Sequence, residues 1–199
     1  MGNHIKLAAL MLTGTVLVTL GFVAGQGLRQ TPTKDDLVNT AAARLALQDF
    51  RGAVDCFNAA LILDPKDWAL WNGRGMARSA LNDFPGARAD FETAIAINPS
   101  SGRLYNNRGA ARFRLADYQN AVYDFTQAIA LEPAKGEVRI NRAQARARLG
   151  DREGALTDFR DGLALLPPGD WIRPAVAEFT NAARQGHYTA NLQPMLITY

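Results

Sequence analysis

The sequence has little of the chemistry that enzymes and metal sites need. Among its 199 residues there is one cysteine, Cys56, and there are two histidines, His4 and His187. A single cysteine excludes a disulfide within the chain, and no set of His, Cys and carboxylate residues has the spacing of a metal site. Gly73-Arg74-Gly75 lacks the strand and the third glycine of a dinucleotide-binding loop. We therefore expect no catalytic residues, no metal and no cofactor, and we predict that the protein is not an enzyme.

Lysine is also scarce, and the sequence has no excess of charge of either sign. Four lysines stand beside 18 arginines, and the formal net charge is only +3. Proteins that bind nucleic acid concentrate basic residues on one face, whereas the basic and acidic residues after residue 26 nearly balance. The composition therefore excludes nucleic acid as the expected partner.

One long apolar run is present at the amino terminus. Residues 7–24 carry no charge and follow Lys6. Their number, 18, falls between the apolar region of a secretory signal, about 7–15 residues, and a membrane-spanning helix, about 17 or more. Val23-Ala24-Gly25 is a poor cleavage site, which favours an anchor. We predict that residues 1–26 are a membrane anchor or signal peptide and that residues 27–33 are a linker.

The rest of the sequence repeats with a period of 34 residues. Prolines, phenylalanines, alanines, leucines and aspartates recur in register, and three further prolines in register have a chance probability of roughly 10⁻⁴. The proline and phenylalanine columns are Pro65, Pro99, Pro133 and Pro167, and Phe57, Phe91, Phe125 and Phe159.

The period and its marker residues resemble the tetratricopeptide repeat (TPR). An aromatic residue, Trp71 or Tyr105, opens the unit, a glycine, Gly75 or Gly109, follows four residues later, and a proline closes it. The resemblance covers residues 34–167 as four units, 34–67, 68–101, 102–135 and 136–167. It implies an all-α fold, a right-handed α-solenoid of helical hairpins preceded by one N-terminal hydrophobic helix.

Helical periodicity gives element bounds in the third unit. The first helix is predicted from about Leu104 to Leu115, and the second, capped by Asp117, from about Tyr118 to Leu131. A C-terminal capping helix is expected within residues 168–185, over 170–185, followed by a tail at 186–199. Pro174 would lie in its first turn, and its apolar stripe would be Ile172, Val176, Phe179 and Ala183.

Arginines recur at i, i+4 on the first helices, and one aspartate recurs on each second helix. An arginine ladder could bind an acidic ligand, but a feature present in successive units more often belongs to the scaffold. We therefore predict internal pairing, in the groups Arg74, Arg78 and Asp90; Arg108, Arg112 and Asp124; and Arg142, Arg146 and Asp158.

Residues that differ between units are better candidates for recognition. The resemblance implies a groove lined by the first helices, where six side chains offer amide, cationic or apolar contacts to a peptide or partner helix: Asn72, Met76, Arg103, Asn106, Phe113 and Gln144. This predicts that Asn106→Ala with Phe113→Ala weakens binding without changing stability. An ordinary solvated groove, with partners bound at the convex face or the tail, is the alternative.

Chaperone-binding members of the family hold a C-terminal carboxylate with lysine, asparagine and arginine side chains. The matching positions here are Asn72, Met76, Asn107, Glu137 and Asn141, of which only Asn107 is of the required type. The sequence therefore predicts that this carboxylate clamp is absent.

Two functions remain open. The first is a protein–protein interaction scaffold anchored in a bacterial inner membrane through residues 7–24, with periplasmic repeats, as a subunit or assembly factor of an envelope complex. The second is a cleaved, soluble periplasmic module that binds peptides or acts like a chaperone.

Overall fold

A computed structural model describes residues 31–170 and 173–184, without the side chains of Ala175, Phe179, Ala182 and Ala183. The predicted anchor, most of the predicted linker and the tail at 186–199 lie outside the described residues. None of the described helices is both long enough and apolar enough to cross a lipid bilayer.

The described residues form nine α-helices and no strand. Their bounds are α1 Lys34–Ala46, α2 Phe50–Leu63, α3 Trp68–Ala80, α4 Phe84–Ile97, α5 Gly102–Arg114, α6 Tyr118–Leu131, α7 Gly136–Arg148, α8 Arg152–Leu165 and α9 Arg173–Arg184.

Helices α1 to α8 form four hairpins that stack in sequence order. Within each hairpin the two helices pack together, and the second helix of one hairpin packs on the first helix of the next. First helices also contact one another directly, α3 with α5 and α5 with α7. The predicted α-solenoid of helical hairpins is confirmed, and in the third unit α6 has the predicted bounds while α5 begins two residues earlier than expected.

Phenylalanines at the 34-residue spacing form the centre of each hairpin. Phe91, Phe125 and Phe159 are almost completely buried, as packing between the two helices requires. A Cβ atom added at Gly75 would lie 2.7 Å from Cε1 of Phe91, and one added at Gly109 would lie 2.8 Å from Cε1 of Phe125. The marker glycines therefore let the first helix approach the phenyl ring of the second.

An aspartate begins each second helix, but one of the four caps differently. In α4 the Asp83 carboxylate accepts a hydrogen bond from the Gly86 amide, and a Cβ atom at Gly86 would clash with that carboxylate at 2.2 Å. In α6 the equivalent residue is Asn120, whose side-chain amide donates to Asp117 at 2.9 Å instead. The prediction that Asp117 caps α6 is thus confirmed in position, but its carboxylate accepts from the Asn120 side chain and not from a backbone amide.

The turn inside each hairpin uses a left-handed residue. Gln48, Asn82, Ala116 and Gly150 occupy equivalent positions with φ of 58°, 62°, 60° and 81°. The following amide closes the helix end, as in Asp117 N–H to the Arg112 carbonyl at 2.9 Å. A left-handed conformation is unfavourable for alanine, which has a Cβ atom and no side-chain hydrogen bond to compensate.

Helix α9 packs against α8, and it begins three residues later than predicted. Val176 is fully buried against the last hairpin, and the Arg173 guanidinium donates to the carbonyls of Leu163 and Leu166 at 2.8 and 2.9 Å. Pro174 lies in the first turn, as expected. Ile172 and the side chains of Phe179 and Ala183 lie outside the described part.

Candidate partner-binding surface

Buried ion clusters hold each of the last three hairpins together. In the third unit, Arg108 donates to both carboxylate oxygens of Asp124, at 2.6 and 3.0 Å, and Arg112 donates a third bond at 2.8 Å. The second and fourth units repeat this geometry around Asp90 and Asp158. The prediction of internal pairing is confirmed, and these arginines are engaged in the scaffold.

Burial and the arginine hydrogen bonds have opposite effects on the pKa of the central carboxyl group of this cluster. Burial raises the pKa of the Asp124 carboxyl above its ordinary value, and the hydrogen bonds from Arg108 and Arg112 act in the opposite direction. Taking the carboxylate out of water thus offsets much of the attraction to its two partners.

The first unit lacks this cluster. Thr40 and Cys56 occupy the positions of the first arginine and the aspartate, and the remaining Arg44 pairs with Asp49 at 2.8 Å. Cys56 is half-buried, and burial raises the pKa of its thiol. A thiol is a poor nucleophile when its pKa is raised. No cluster of three metal-ligating side chains occurs in the described ranges.

Amide pairs connect the first helices of consecutive units. The Asn107 side chain donates to Asn72 Oδ1 at 3.1 Å, and the Asn141 side chain donates to Asn106 Oδ1 at 3.0 Å. All four asparagines are buried. Because a buried amide without its partner is unfavourable, each pair fixes how one first helix lies against the next.

The face formed by α3, α5 and α7, here called the first-helix face, carries the six residues predicted to bind a partner. Asn72, Asn106, Phe113 and Gln144 are buried. Their side chains therefore offer little surface to a ligand. Removing Asn106 and Phe113 would lower stability, so the expectation that stability stays unchanged was wrong.

The other two predicted residues remain accessible, in different places. Met76 is half-buried and lines a cavity on the first-helix face. Arg103 is exposed near the start of α5 and lines a separate recess of about 170 Å³ with Trp68, Ser101, Glu132 and Lys135. The six residues thus do not form one site.

The larger cavity, here called the Ser79 cavity, has a volume of about 520 Å³. It is within the size range of small-molecule and side-chain pockets, and most of its lining is apolar. The lining residues come from three hairpins: Leu45, Phe50, Met76, Ser79, Ala80, Asn82, Phe84, Phe91, Asn107, Ala110, Ala111 and Arg114.

One charged group lies in this lining. The Arg114 guanidinium lies over the Phe84 ring, 4.8 Å from its centroid. Across the described residues, Arg114 forms no ion pair with a carboxylate. The cavity is thus apolar, with a positive charge at one wall.

Sequence reasoning found Met76 but did not assign Phe84 or Arg114 to a site. Both lie outside the positions that the family resemblance pointed to. The sequence did carry a signal at Ser79, because the 34-residue register aligns this small residue with the bulky Phe113 of the next unit.

Comparison with known proteins agrees with this architecture. Two family profiles described as tetratricopeptide repeat match residues 41–103 and 75–133. The chain therefore contains tetratricopeptide repeats over residues 41–133. No curated protein matches the sequence. Repeat proteins of this kind stack hairpins into a binding surface and use that surface for recognition.

Solved TPR structures share the fold at low identity. The Thermus thermophilus TPR protein TTC0263 is 20% identical, with a TM-score of 0.63, covering 76% of this chain and 81% of its own. YrrB, described as a TPR protein with an unusual peptide-binding site, is 21% identical, with a TM-score of 0.62, covering 77% and 78%. The first TPR domain of RPAP3, solved with an HSP90 peptide, is 27% identical, with a TM-score of 0.58, covering 59% and 94%.

Proposed function

We propose that this TPR protein is a non-enzymatic scaffold that holds a protein partner on its first-helix face. The observation that carries the proposal is the Ser79 cavity, an apolar opening in a face on which Asn72, Asn106, Phe113 and Gln144 are buried. Buried apolar anchors supply most of the affinity in protein interfaces, and a pocket that exists before binding reduces the cost of ordering.

The rigidity of the scaffold supports this proposal. The lining comes from three hairpins; the buried pair Asn72–Asn107 fixes the register between the second and the third, and the ion clusters around Asp90 and Asp124 hold each of these two hairpins together. Two of the structurally similar TPR proteins are described with a peptide or a peptide-binding site, which favours a peptide-like partner here. We expect no carboxylate clamp, because Asn107, its one matching residue, is buried and bonded to Asn72.

We further propose that the protein is a subunit or assembly factor of a bacterial envelope complex, tethered to the outer face of the inner membrane. The support is the uncharged stretch at residues 7–24, preceded by Lys6 and followed by a poor cleavage site. A cleaved, soluble periplasmic peptide-binding module is the second candidate.

Two measurements test these proposals. The mass of the mature chain decides between the membrane-anchored and the cleaved form, since retention gives the full 21.6 kDa and cleavage removes about 25 residues. Extraction of native membranes in mild detergent, followed by size-exclusion chromatography, tests whether the protein is part of a stable complex. We expect a partner to co-elute in fixed ratio. Elution of the chain alone would refute the stable-complex proposal.

A further inference from the structure

We propose that the Ser79 cavity takes one bulky apolar side chain of a partner peptide, best an aromatic one, and that Arg114 pairs with an acidic residue next to it. This deepens the proposed function and rests on it. The proposal specifies what the partner must present, which the general scaffold function does not.

The next unit of the same chain contains the filled version of this site. Phe113 stands 34 residues after Ser79, and it is buried. Its ring packs edge-on against Tyr118, with centroids 5.2 Å apart, and the Arg148 guanidinium lies 5.7 Å from its centroid.

The same two positions beside Ser79 carry equivalent groups. Phe84 stands where Tyr118 stands, and Arg114 stands where Arg148 stands. The central ring is missing, because the residue at its place is serine. An aromatic side chain supplied by a partner would therefore meet an aromatic edge and a guanidinium, as Phe113 does in the next unit.

A smaller side chain in the wall enlarges the opening, and a flexible side chain lines it. Ala110 lines the cavity where the next unit has Gln144, which removes most of a side chain from the wall. Met76 lines the cavity from α3 and is half-buried. Methionine adapts its shape to different apolar guests and contacts aromatic rings favourably.

Charge complementarity specifies the neighbour of the anchor. Arg114 is exposed, lines the cavity and has no carboxylate partner in the part of the chain that the structure describes. The scaffold arginines of the same unit, by contrast, are bound to Asp124. A carboxylate beside the anchor would meet an available guanidinium and no acidic group of the lining, which favours Asp or Glu next to the aromatic residue.

The test uses the full chain in lipid nanodiscs with methyl-¹³C methionine. The probe is an acetylated, amidated peptide of sequence Ser-Gly-Asp-Phe-Asp-Gly-Ser. We expect the Met76 methyl signal, assigned with Met76→Leu, to shift saturably, whereas a peptide with alanine in place of phenylalanine does not shift it. No saturable shift, or an equal shift with the alanine peptide, would overturn the proposal.

Filling the cavity supplies the decisive variant. Ser79→Phe copies the residue that the chain itself carries at 113, and Ser79→Ala is the matched control that leaves the cavity open. We expect Ser79→Phe to weaken the phenylalanine peptide about tenfold or more and Ser79→Ala to leave it unchanged. Should Ser79→Phe lower the melting temperature, Ala110→Gln, which copies Gln144, fills a neighbouring part of the cavity from its α5 wall. Unchanged binding in the folded filling variant would refute the pocket.

Arginine variants test the acidic neighbour. Arg114→Gln should weaken the aspartate peptide about three- to tenfold and weaken a peptide with asparagine in place of both aspartates by a smaller factor, since that peptide loses only the contact between its ring and the guanidinium. Arg103→Gln, on the same helix but outside this cavity, is the control and should change neither. Equal effects of the two variants would remove Arg114 from the proposal.

The two proposals fail in different ways. If a partner co-purifies but binds Ser79→Phe as well as the wild-type chain, the scaffold function stands and the pocket is wrong. If the peptide binds as expected but native membranes yield no partner, the pocket stands and the stable-complex function is wrong.

Discussion

Replacing Asp124 by cysteine should destabilise the protein strongly. The Asp124 side chain is fully buried and accepts three hydrogen bonds from Arg108 and Arg112. These two arginine side chains are only 13% and 15% exposed. Without the carboxylate, the Arg108 guanidinium would stay in a mostly dry site with no compensating charge, and Arg112 would keep only its contact with the exposed Glu92 carboxylate at 3.4 Å.

The expected loss follows from that geometry. Removing one partner of a buried ion pair costs about 3–5 kcal/mol. Because both guanidinium groups keep some contact with water, we expect the lower end, about 3 kcal/mol. For a chain of this size that corresponds to a fall in melting temperature of about 6–12 °C.

The first unit indicates how the loss can be reduced. There, Thr40 and Cys56 occupy the positions of Arg108 and Asp124, and the hairpin still forms with Ala53 and Phe57 in its core. Adding Arg108→Thr to Asp124→Cys removes one stranded cation. We therefore expect the double variant to lose about 1–2 kcal/mol less free energy of unfolding than the sum of the two single losses.

Urea unfolding followed by circular dichroism measures all four corners of this double-mutant cycle. Arg114→Gln serves as the control, since that arginine has no ion pair across the described residues. A loss below about 1 kcal/mol for Asp124→Cys, or strictly additive single losses, would refute the reasoning that stranded charge is the cause.

Two more stability predictions follow from buried or strained residues. Ala116→Gly should stabilise the chain by about 0.5–1 kcal/mol, because glycine adopts the left-handed conformation without a clash. Gly150→Ala at the equivalent position should destabilise the chain. Urea midpoints that move in the opposite directions would contradict this prediction. Phe113→Ala should lower the free energy of unfolding by about 3–5 kcal/mol because the ring is buried. It should also open a second cavity beside Tyr118, which a crystal structure of the variant would reveal. A loss below about 1 kcal/mol would place the ring at the surface.

The scaffold was predictable because each hairpin solves the same packing problem. The register of Phe91, Phe125 and Phe159 indicated a buried column, and the structure has it. The pairing of Arg108 with Asp124 followed in the same way, since residues that recur together on facing helices have a shared structural cause.

The binding surface was harder to predict because exposure depends on neighbours that the repeat pattern leaves out. Asn106 was taken for a ligand contact, but its carbonyl accepts a bond from Asn141 of the next unit and is buried. Phe113 was taken for an anchor, but it fills its own unit's pocket against Tyr118. Asp117 was right as a position, and Asn120 changed its bond.

Repetition and variation thus have separate roles in this chain. The amide pairs recur between consecutive units and set how the first helices lie against one another, whereas the ion clusters recur within the last three hairpins and hold each of them together. A cavity lined from three hairpins keeps its shape only if these contacts are kept, so the buried polar groups are a condition for recognition. Against this fixed background, two smaller side chains, Ser79 where the next unit has Phe113 and Ala110 where it has Gln144, accompany an open cavity in place of a packed position.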